Sequence, residues 1–435
     1  MRYSSLLALA TAIASASASG CDYVGGNYYC NEVSKIIYEN VGFSGSYLDV
    51  TNMDESSGTC SSNVKSFLGP LAPFDEELSL HFRGPLQLVQ FGVYYPSSGS
   101  NAKRDAEEDC TTRHLHHKHV KRATALVTQT VFVDQFGNTV TSTATTTPTT
   151  APILANSAPS AGSAPSGVSS GVYSAVASGS PSSSSLSSTS GGSSSSAAAG
   201  DWVRASYYTP GTAENVTFLN YYGGSGSGVW SSAFGNSLSY ANSDNTGGSS
   251  SPQILSETTI SSNTEFVVMS GLKCGADSET GDCGYYRDGT PAYHGWDGTS
   301  KLFVFEFLMP SSSATGFNGD MPAIWMLNAK IPRTLQYGDA SCSCWNTGCG
   351  ELDLFEILST GSEKCITHLH DKQGGSGSGS SDYFTRPTSG TMKAAVIFTD
   401  SEIHIMTVDE SFDSVLSSDT VQDWINTSGT TVTLG

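Results

Sequence analysis

Residues 350–358 read GELDLFEIL, so three carboxylates lie within six residues of an otherwise apolar segment. Successive side chains of a β-strand alternate between faces, and Glu351 and Asp353 therefore share one face while the leucines after them point to a core. Strict alternation would put Glu356 on the core face. An extra residue at Leu354–Phe355, taken up as a β-bulge, would return Glu356 to the face of the other two acids. The segment predicts a strand that presents three carboxylates on one surface.

Three neighbouring carboxylates repel and raise one another's pKa, which is unfavourable in a purely structural strand. The same repulsion is useful for separating a nucleophile from a protonated acid. Retaining glycoside hydrolysis needs two carboxyl groups about 5–5.5 Å apart. A solvent-facing acidic edge and a set of calcium ligands are the alternatives, and spacing alone leaves all three interpretations open.

The chain around this strand predicts an all-β fold. Residues 200–435 are rich in aromatic and β-branched residues, with repeated Gly, Ser and Asn turns and no long segment of helical period. Short strands separated by turns indicate a sandwich, and we expect residues 200–435 to form one catalytic domain. The strand candidates are Glu265–Met269, Lys301–Met309, Ala323–Leu327, Glu351–Leu358, Ile366–His370, Met392–Phe398 and Glu402–Val408.

The N-terminal part of the chain predicts a second, smaller module at residues 20–104. Its segment Leu78–Tyr95 shows β-type alternation that is broken at Gly84-Pro85. We expect a compact β module that is closed by disulfides and is separate from the catalytic domain. Nothing in it marks chemistry.

Two segments lie between these domains. Residues 105–122 follow the dibasic pair Lys103-Arg104 and end with Lys121-Arg122, which predicts processing by a basic-pair protease. The histidines between the two pairs could bind a metal, but a solvated spacer is favoured because no cysteine or carboxylate geometry accompanies them. Residues 123–199 contain one charged side chain, Asp134, and predict a disordered, O-glycosylated Ser/Thr-rich linker.

The first 19 residues have the features of an export signal, with Arg2 before the apolar stretch Leu6–Ile13 and a run of small residues after it. No later segment reaches about 18 apolar residues, and the end of the chain lacks a glycolipid-anchor tail. We therefore expect a secreted protein without a membrane anchor. Glycosylation sequons begin at Asn215 and Asn426.

Ten cysteines fit an oxidising compartment. Four precede the linker and six follow it, and because both numbers are even, each group is expected to close on itself. A zinc site at Cys342, Cys344, Cys349 and Cys365 is the disfavoured alternative.

The charge balance restricts the partners. The chain has 40 acidic and 20 basic residues and a net charge of −20. This balance argues against nucleic-acid binding, which needs clustered Lys and Arg, and against an anionic membrane surface. We expect a monomer that needs no cofactor and no catalytic metal.

The motifs around the acidic strand resemble glycoside hydrolase family 16, in which a Glu-x-Asp-x-x-Glu signature lies on a bulged strand. The segment KLFVFEFLMP (301–310) is similar to the family's strand that ends in a Leu-Pro corner. The segment GDMPAIWML (319–327) is similar to its Gly-x-x-Pro-Ala-x-Trp-x-Leu motif. Residues 366–370 and 392–409 resemble the later strands. The resemblance implies a β-jelly-roll sandwich that cleaves β-glucans or galactans.

The layout of the whole chain resembles the fungal cell-wall proteins of the "target of SBF" type. The shared features are the small N-terminal module, the dibasic sites, the Ser/Thr-rich stalk and the Cys-Ser-Cys-Trp run that starts at Cys342. This resemblance implies a cell-wall location and a β-1,3-glucan substrate.

Carried over from family 16, Glu351 would be the nucleophile, Glu356 the general acid and then base, and Asp353 the residue that tunes the nucleophile. The candidates for substrate binding are Trp325, Trp345, Trp296 and His370, and ordinary core packing is the alternative for each tryptophan.

The resemblance favours a retaining endo-β-1,3-glucanase. A transglycosylase, in which a sugar hydroxyl replaces water, and a non-catalytic glucan-binding wall glycoprotein are the alternatives. The related crosslinking enzymes resemble the unbulged Glu-x-Asp-x-Glu form, so the extra residue here favours hydrolysis. The presence of all three carboxylates argues against the non-catalytic alternative.

Overall fold

The computed structural model describes residues 20–97, 197–275, 282–373 and 378–435. The predictions of an export signal, of a processed segment with its histidine run, and of all but the last residues of the linker lie outside these ranges. In the ranges that the structure describes, no helix is long and apolar enough to cross a membrane.

Nearly all regular secondary structure in the described part of the chain is β-strand, which confirms the all-β prediction. The strands are β1 (Asp22–Val24), β2 (Asn27–Tyr29), β3 (Lys35–Glu39), β4 (Gly45–Asp54), β5 (Thr59–Phe67), β6 (Leu78–Arg83), β7 (Gln87–Pro96), β8 (Trp202–Thr209), β9 (Thr212–Glu214), β10 (Val216–Asn220), β11 (Trp230–Ser231), β12 (Gly235–Asn236), β13 (Ser239–Ala241), β14 (Gly248–Ser249), β15 (Glu265–Ser270), β16 (Lys301–Leu308), β17 (Ala323–Asn328), β18 (Glu351–Glu356), β19 (Lys364–His370), β20 (Ser378–Gly379), β21 (Phe384–Thr385), β22 (Met392–Thr399), β23 (Glu402–Thr407), β24 (Val415–Leu416) and β25 (Thr430–Thr433). The helices are α1 (Lys330–Arg333), α2 (Ser418–Asn426) and two 3-10 turns at Ala340–Cys342 and Trp345–Thr347. Each strand predicted after residue 260 is observed, with bounds that differ by one or two residues.

Two large sheets form the sandwich. The first sheet has the order β14-β13-β10-β15-β6-β17-β18-β19-β20, and β21 also pairs with β19. The second has the order β24-β8-β7-β16-β22-β23-β3-β25, and β9 pairs with β8. Neighbours are antiparallel except β25 and β3, which are parallel. The hairpins β1-β2, β4-β5 and β11-β12 are separate two-stranded sheets.

The main core lies between the inner faces of these two sheets. Phe82 of β6 contacts Phe305 of β16 with a ring-centroid distance of 6.3 Å, and Phe355 of β18 contacts Phe307 of β16 at 5.2 Å. All four rings are fully buried in one cluster. Because strand side chains alternate, the first-sheet residues that fill this core direct their neighbours to the outer face of that sheet, where the acidic residues of β18 lie.

The prediction of a separate N-terminal module was wrong. β6 lies between β15 and β17 in the first sheet, β7 lies between β8 and β16 in the second, and β3 lies between β23 and β25. The sequence showed strands in this segment but not their partners, because alternation reports which face of a strand is buried and not which strand lies beside it. Residues from both ends of the chain therefore build one sandwich.

The disulfides also join the two parts of the chain. The pairs are Cys21–Cys30, Cys60–Cys342, Cys274–Cys283 and Cys344–Cys349. Cys60–Cys342 contradicts the expectation that each half closes on itself, because β5 packs beside the 3-10 turn at Ala340–Cys342. The zinc alternative is also wrong, since three of its four cysteines are in disulfides. Cys365 is a buried thiol without a disulfide in the described part of the chain.

Candidate active site

The acidic strand β18 contains the bulge that its sequence predicts. Asp353 lies opposite Trp325 and Phe355 lies opposite Ile324 in the pairing with β17, so Leu354 has no partner residue. Leu354 and Phe355 are both buried in the core between the sheets. The extra core residue shifts the phase of the strand, and Glu356 returns to the face of Glu351 and Asp353.

The three carboxylates line one cavity of about 270 Å³ on the outer face of the first sheet. Residues from β6, β17, β18 and the loop before β18 surround it. The lining residues are Arg83, Trp325, Leu327, Ile331, Gln336, Tyr337, Trp345, Glu351, Asp353 and Glu356. We call this space the acidic cavity. Its size suits a sugar unit or two rather than a large cofactor.

Burial and mutual repulsion change the proton affinity of two of these acids. Burial, and next the Asp353 carboxylate, raise the pKa of Glu351 to about 8, although the Trp345 indole N–H donates a hydrogen bond that acts in the opposite direction. Burial and the Glu356 carboxylate raise the pKa of Asp353 well above its ordinary value, and Arg83 opposes this. The pair therefore keeps a proton to higher pH than a free carboxyl group would.

Arg83 is a site residue that sequence reasoning missed. Its Nη2 lies 3.2 Å from Glu356 Oε1, and its Nε donates to the carbonyl of Met321 at 2.8 Å. Arg83 and Glu356 are both opposite Ala323 in the ladder, and the small alanine side chain leaves room for the guanidinium above β17. The available signal was the alternation of Ser79, His81 and Arg83 with large apolar residues on β6.

The floor beside the acids is made of stacked rings. His81 lies 5.2 Å from Trp325 between ring centroids, and Arg83 lies 5.8 Å above the same indole. Burial lowers the pKa of His81 to about 3, so the imidazole is neutral. Its ring forms a hydrogen bond with Ser79 Oγ at 2.9 Å. β6 therefore contacts Trp325 through one uncharged ring, His81, and one cation, Arg83.

The tryptophan predictions have three different outcomes. Trp345 is 47% exposed, lines the acidic cavity and donates its indole N–H to Glu351 Oε2. Trp325 lines the same cavity but is only 4% exposed, so mainly its edge can meet a ligand. The assignment of Trp296 was wrong. It is buried in the core between the sheets against Phe91 and Phe303, because its strand partner Leu78 begins the central strand β6.

His370 lies beside the acids rather than among the cavity-lining residues. It is opposite Glu351 in the ladder between β18 and β19. Its Nε2 is 3.3 Å from Asp353 Oδ2, and its ring stacks on His368 at 4.1 Å. The structure thus brings the His370 imidazole within contact of the Asp353 carboxyl group.

The loop that carries Trp345 is held from both parts of the chain. Cys344–Cys349 closes the loop, and Cys60–Cys342 ties it to the hairpin β4-β5. The backbone N–H of Leu48 in that hairpin donates to Thr347 Oγ1 at 3.0 Å. Gly348 ends the 3-10 turn at a φ of 97°, a conformation that glycine adopts without a Cβ clash. These contacts place Trp345 over the start of β18.

The donor geometry does not favour the calcium-ligand interpretation of the three acids. In the described ranges, only Cys274, Cys283 and His294 bring three potential ligand atoms within 4.8 Å of one another. Two of these three are joined in a disulfide and cannot act as thiolates.

Comparisons with known proteins match both parts of the chain to one family. Residues 34–96 match the family model described as cell wall protein YJL171C/Tos1, N-terminal, and residues 200–424 match the C-terminal model of the same family. No solved structure matches the chain.

Full-length relatives match as well. A Candida albicans protein named "Probable circularly permuted 1,3-beta-glucanase TOS1" is 56% identical over 100% of both chains. A Saccharomyces cerevisiae protein of the same name is 50% identical over 99% of this chain and 98% of its own length. A Schizosaccharomyces pombe protein, also named a probable circularly permuted 1,3-beta-glucanase, is 43% identical over 99% and 98%. The chain therefore belongs to the Tos1/YJL171C family of cell wall proteins.

Proposed function

We propose that the chain is a retaining endo-β-1,3-glucanase that is exported and acts on fungal cell-wall glucan. The main support for this proposal is that Glu351, Asp353 and Glu356 line one cavity together with the indole of Trp345. The names of the full-length relatives support a 1,3-β-glucan substrate. Retention of configuration and the roles of the individual acids rest on the resemblance of β18 to the family 16 signature.

In the first step the Glu351 carboxylate attacks the anomeric carbon and the bond to the glycosidic oxygen breaks. Glu356 transfers its proton to that oxygen, and the leaving sugar departs with a free hydroxyl. In the second step Glu356 takes a proton from water, the water oxygen bonds to the anomeric carbon, and Glu351 is released. The two displacements restore the enzyme and retain the anomeric configuration.

Asp353 and Trp345 prepare Glu351 for this attack. Asp353 is buried behind the nucleophile and holds a proton well above the ordinary pH range of an aspartate. A protonated Asp353 can donate a hydrogen bond to an ionised Glu351, and the Trp345 N–H donates a second. Two hydrogen-bond donors on the Glu351 carboxylate stabilise its negative charge. Both hydrogen bonds weaken as this charge is used to form the bond to the substrate.

Arg83 positions Glu356, the proposed general acid. Its guanidinium is held by the Met321 carbonyl and contacts Glu356 through the ion pair at 3.2 Å. Both partners are mostly buried, so the contact limits the rotamers that Glu356 can adopt. The residue comes from β6, and the proposed site is complete only when the N-terminal strands are present.

The test is incubation of the purified full chain with β-1,3-gluco-oligosaccharides and, in parallel, with β-1,4-linked ones. We expect shortened β-1,3 products whose first-formed anomer is β. The variant Glu356→Gln should lose activity by about 10²–10⁴-fold, the contribution of general acid–base catalysis, and Glu351→Gln should lose at least as much. Glu214→Gln, on the edge strand β9 of the other sheet, is the matched control and should keep full activity.

Chemical rescue separates the two roles. Azide added to Glu351→Ala should give an α-glycosyl azide, because azide replaces the nucleophile, whereas azide added to Glu356→Ala should give the β-anomer. Absence of any product from the full chain would contradict both enzymatic interpretations. Products longer than the substrate would favour the transglycosylase, and equal activity of wild type and Glu351→Gln would exclude the proposed nucleophile.

A further inference from the structure

A second cavity adjoins the acidic cavity. It has a volume of about 710 Å³ and shares Arg83 and Tyr337 with the first. Its other lining residues come from the end of β10, the start of β15 and the loop before β17. They are Tyr221, Tyr222, Asn263, Thr264, Glu265, Phe317 and Asn318. We call it the Phe317 cavity.

The ladder of the first sheet relates the two cavities. Glu265 lies opposite Arg83 in the pairing of β15 with β6, and Arg83 and Glu356 both lie opposite Ala323. Glu265, Arg83 and Glu356 therefore follow one line across four strands. The Phe317 cavity begins on the side of Arg83 that faces away from Glu356. A glucan that extends from the acidic cavity past Glu356 would therefore enter the Phe317 cavity.

The Phe317 cavity offers exposed aromatic faces. Phe317 is 84% exposed, Tyr337 is 58% exposed and Tyr222 is 40% exposed. The loop with Phe317 is joined to the segment just before β15, because Asn318 Nδ2 donates to Asn263 Oδ1 at 3.1 Å and the backbone N–H of Asp320 donates to Ser262 Oγ at 3.2 Å. Exposed aromatic rings, one of them on this anchored loop, suit a ligand that stacks on them, such as the flat face of a sugar ring.

The polar groups of this cavity suit a neutral ligand with many hydroxyls. Glu265 is mostly buried and accepts a hydrogen bond from the Tyr337 hydroxyl, whose oxygen is 2.9 and 3.0 Å from the two carboxylate oxygens. A carboxylate has about four acceptor positions, and one hydroxyl proton leaves most of them for other donors. The charged lining residues are one anion, Glu265, and one cation, Arg83. Their charges balance, so the cavity does not favour a charged ligand.

We propose that the Phe317 cavity binds the glucan units on the leaving-group side of the cleaved bond, with Phe317 as a stacking platform and Glu265 as the acceptor for sugar hydroxyls. This inference rests on the proposed function for the direction of the chain, because Glu356 protonates the oxygen of the leaving sugar. The same cavity would hold the acceptor sugar in any transfer reaction.

The kinetic test compares two substrates of the full-length enzyme. A β-1,3-glucohexaose extends into both cavities, whereas a 4-nitrophenyl β-1,3-glucotrioside places only one ring on the leaving-group side. Phe317→Ala and Glu265→Gln should each lower kcat/KM for the hexaose by about tenfold, as expected for one lost stacking or hydrogen-bonding group. The same variants should change kcat/KM for the nitrophenyl substrate by less than about twofold.

The matched control is Trp230→Ala. Trp230 is 62% exposed but lines neither of the two cavities, and its loss should change neither value. An equal loss with both substrates would overturn the assignment to the leaving-group side, and no loss with the hexaose would overturn the binding site itself. Melting temperatures equal to that of the wild type would show that the exposed Phe317 acts through binding and not through stability.

A binding measurement separates failure of this inference from failure of the proposed function. Calorimetric titration of Glu351→Gln with β-1,3-glucohexaose reports binding without turnover. Adding Phe317→Ala should weaken this binding by about tenfold, and adding Trp230→Ala should not. If the wild type cleaves no glucan but this difference in binding persists, the cavity is a glucan site and only the catalytic proposal is wrong. If the wild type cleaves glucan and Phe317→Ala binds normally, only the inference about the cavity is wrong.

Discussion

Glu351 and Asp353 are two residues apart on β18, and both are withdrawn from water on the same face. Burial is the largest cause of the raised pKa of each, and their mutual repulsion or that of Glu356 adds to it. A pair of this kind is unfavourable for folding at a pH where both acids must ionise. The chemistry that we propose needs this arrangement, so stability and function should respond in opposite directions when Glu351 loses its charge.

The first prediction concerns the pH dependence of stability. The pKa of Glu351 is about 8 in the folded protein against an ordinary value of 4.5. Between pH 4.5 and pH 8 the folded chain holds a proton on Glu351 that the unfolded chain has released. The stabilising contribution of this protonated carboxyl group is therefore fully present below about pH 4.5 and is lost as the pH rises through 8. Glu351→Gln should therefore melt at a higher temperature than the wild type at pH 8, by about 2–4 °C for each kcal/mol gained, and at a similar temperature at pH 4.5.

Melting curves by circular dichroism at the two pH values measure this difference. Asp353→Asn should act in the same direction, because the pKa of Asp353 is also raised. Glu214→Gln, at the exposed edge of the other sheet, should keep the wild-type dependence. A Glu351→Gln variant that loses stability equally at both pH values would show that the carboxyl group is needed for packing rather than strained by burial.

Among the elements, the hairpin β4-β5 supports the loop before β18, and this loop carries Trp345 of the acidic cavity. Cys60–Cys342 and the contact from Leu48 to Thr347 connect them. A third connection is the ion pair of Lys330, at the start of α1, with Asp49 at 2.8 Å. The sequence predicted a cysteine-rich loop directly before β18. The hairpin that supports this loop comes from much earlier in the chain, because the two cysteines of the disulfide are 282 residues apart.

The second prediction concerns this disulfide. Replacing Cys60 and Cys342 with serine removes a crosslink between residues 282 apart, whereas replacing Cys274 and Cys283 removes one between residues 9 apart. In the chain-entropy model the long crosslink stabilises the fold by about 3 kcal/mol more than the short one. We expect a correspondingly larger fall in the denaturant midpoint for Cys60→Ser/Cys342→Ser.

The same variant should also report on the position of Trp345. Glucan cleavage by Cys60→Ser/Cys342→Ser should fall at a temperature where the protein is still folded, because the loop that holds Trp345 over Glu351 loses its tie to the hairpin. Cys274→Ser/Cys283→Ser should keep its activity under the same conditions. Equal midpoints and equal activity for the two double variants would contradict the role of the hairpin as a support.

At the scale of the whole molecule, the sandwich uses strands from both sides of the segment at residues 98–196. The described residues before 98 and after 196 form one compact unit, and β3, β6 and β7 each lie between strands of the C-terminal part. Removing β6 would separate β15 from β17, and the loss of Phe82 would expose its core neighbours Phe266 and Phe305. The two parts of the chain therefore form one fold.

The third prediction follows from this arrangement. A fragment of residues 194–435 alone should show no cooperative melting transition, because it lacks two central strands of the core. A chain in which residues 194–435 are followed by a flexible linker and then by residues 20–102 should fold and cleave glucan. A linker of about 15 Gly and Ser residues spans roughly 20 Å, and longer linkers can be compared with it.

Thermal denaturation of the three purified chains measures the outcome, with glucan cleavage as the functional readout. The natural chain is the control for both. A fragment of residues 194–435 that melts cooperatively at the temperature of the full chain would contradict the requirement for β6 and β7. A rearranged chain that folds but does not cleave glucan would indicate that the order of the segments matters for the site beyond the placement of Arg83.

The sequence by itself determined the local features of this protein. The period-2 alternation gave the all-β class and the positions of the strands, and the extra residue in GELDLFEIL gave the bulge that places Glu351, Asp353 and Glu356 on one face. These features depend on neighbours along the chain, because a strand's own side chains determine which face it buries.

Only the tertiary structure decided how the two ends of the chain combine. Arg83 meets Glu356 across 273 residues, Cys60 pairs with Cys342, and Trp296 is buried in the core, an alternative that the sequence had left open beside substrate binding. The order of strands in a sheet is set by which buried faces and hydrogen-bonding edges fit together in space. That fit involves residues far apart in the chain, and local alternation carries no record of it.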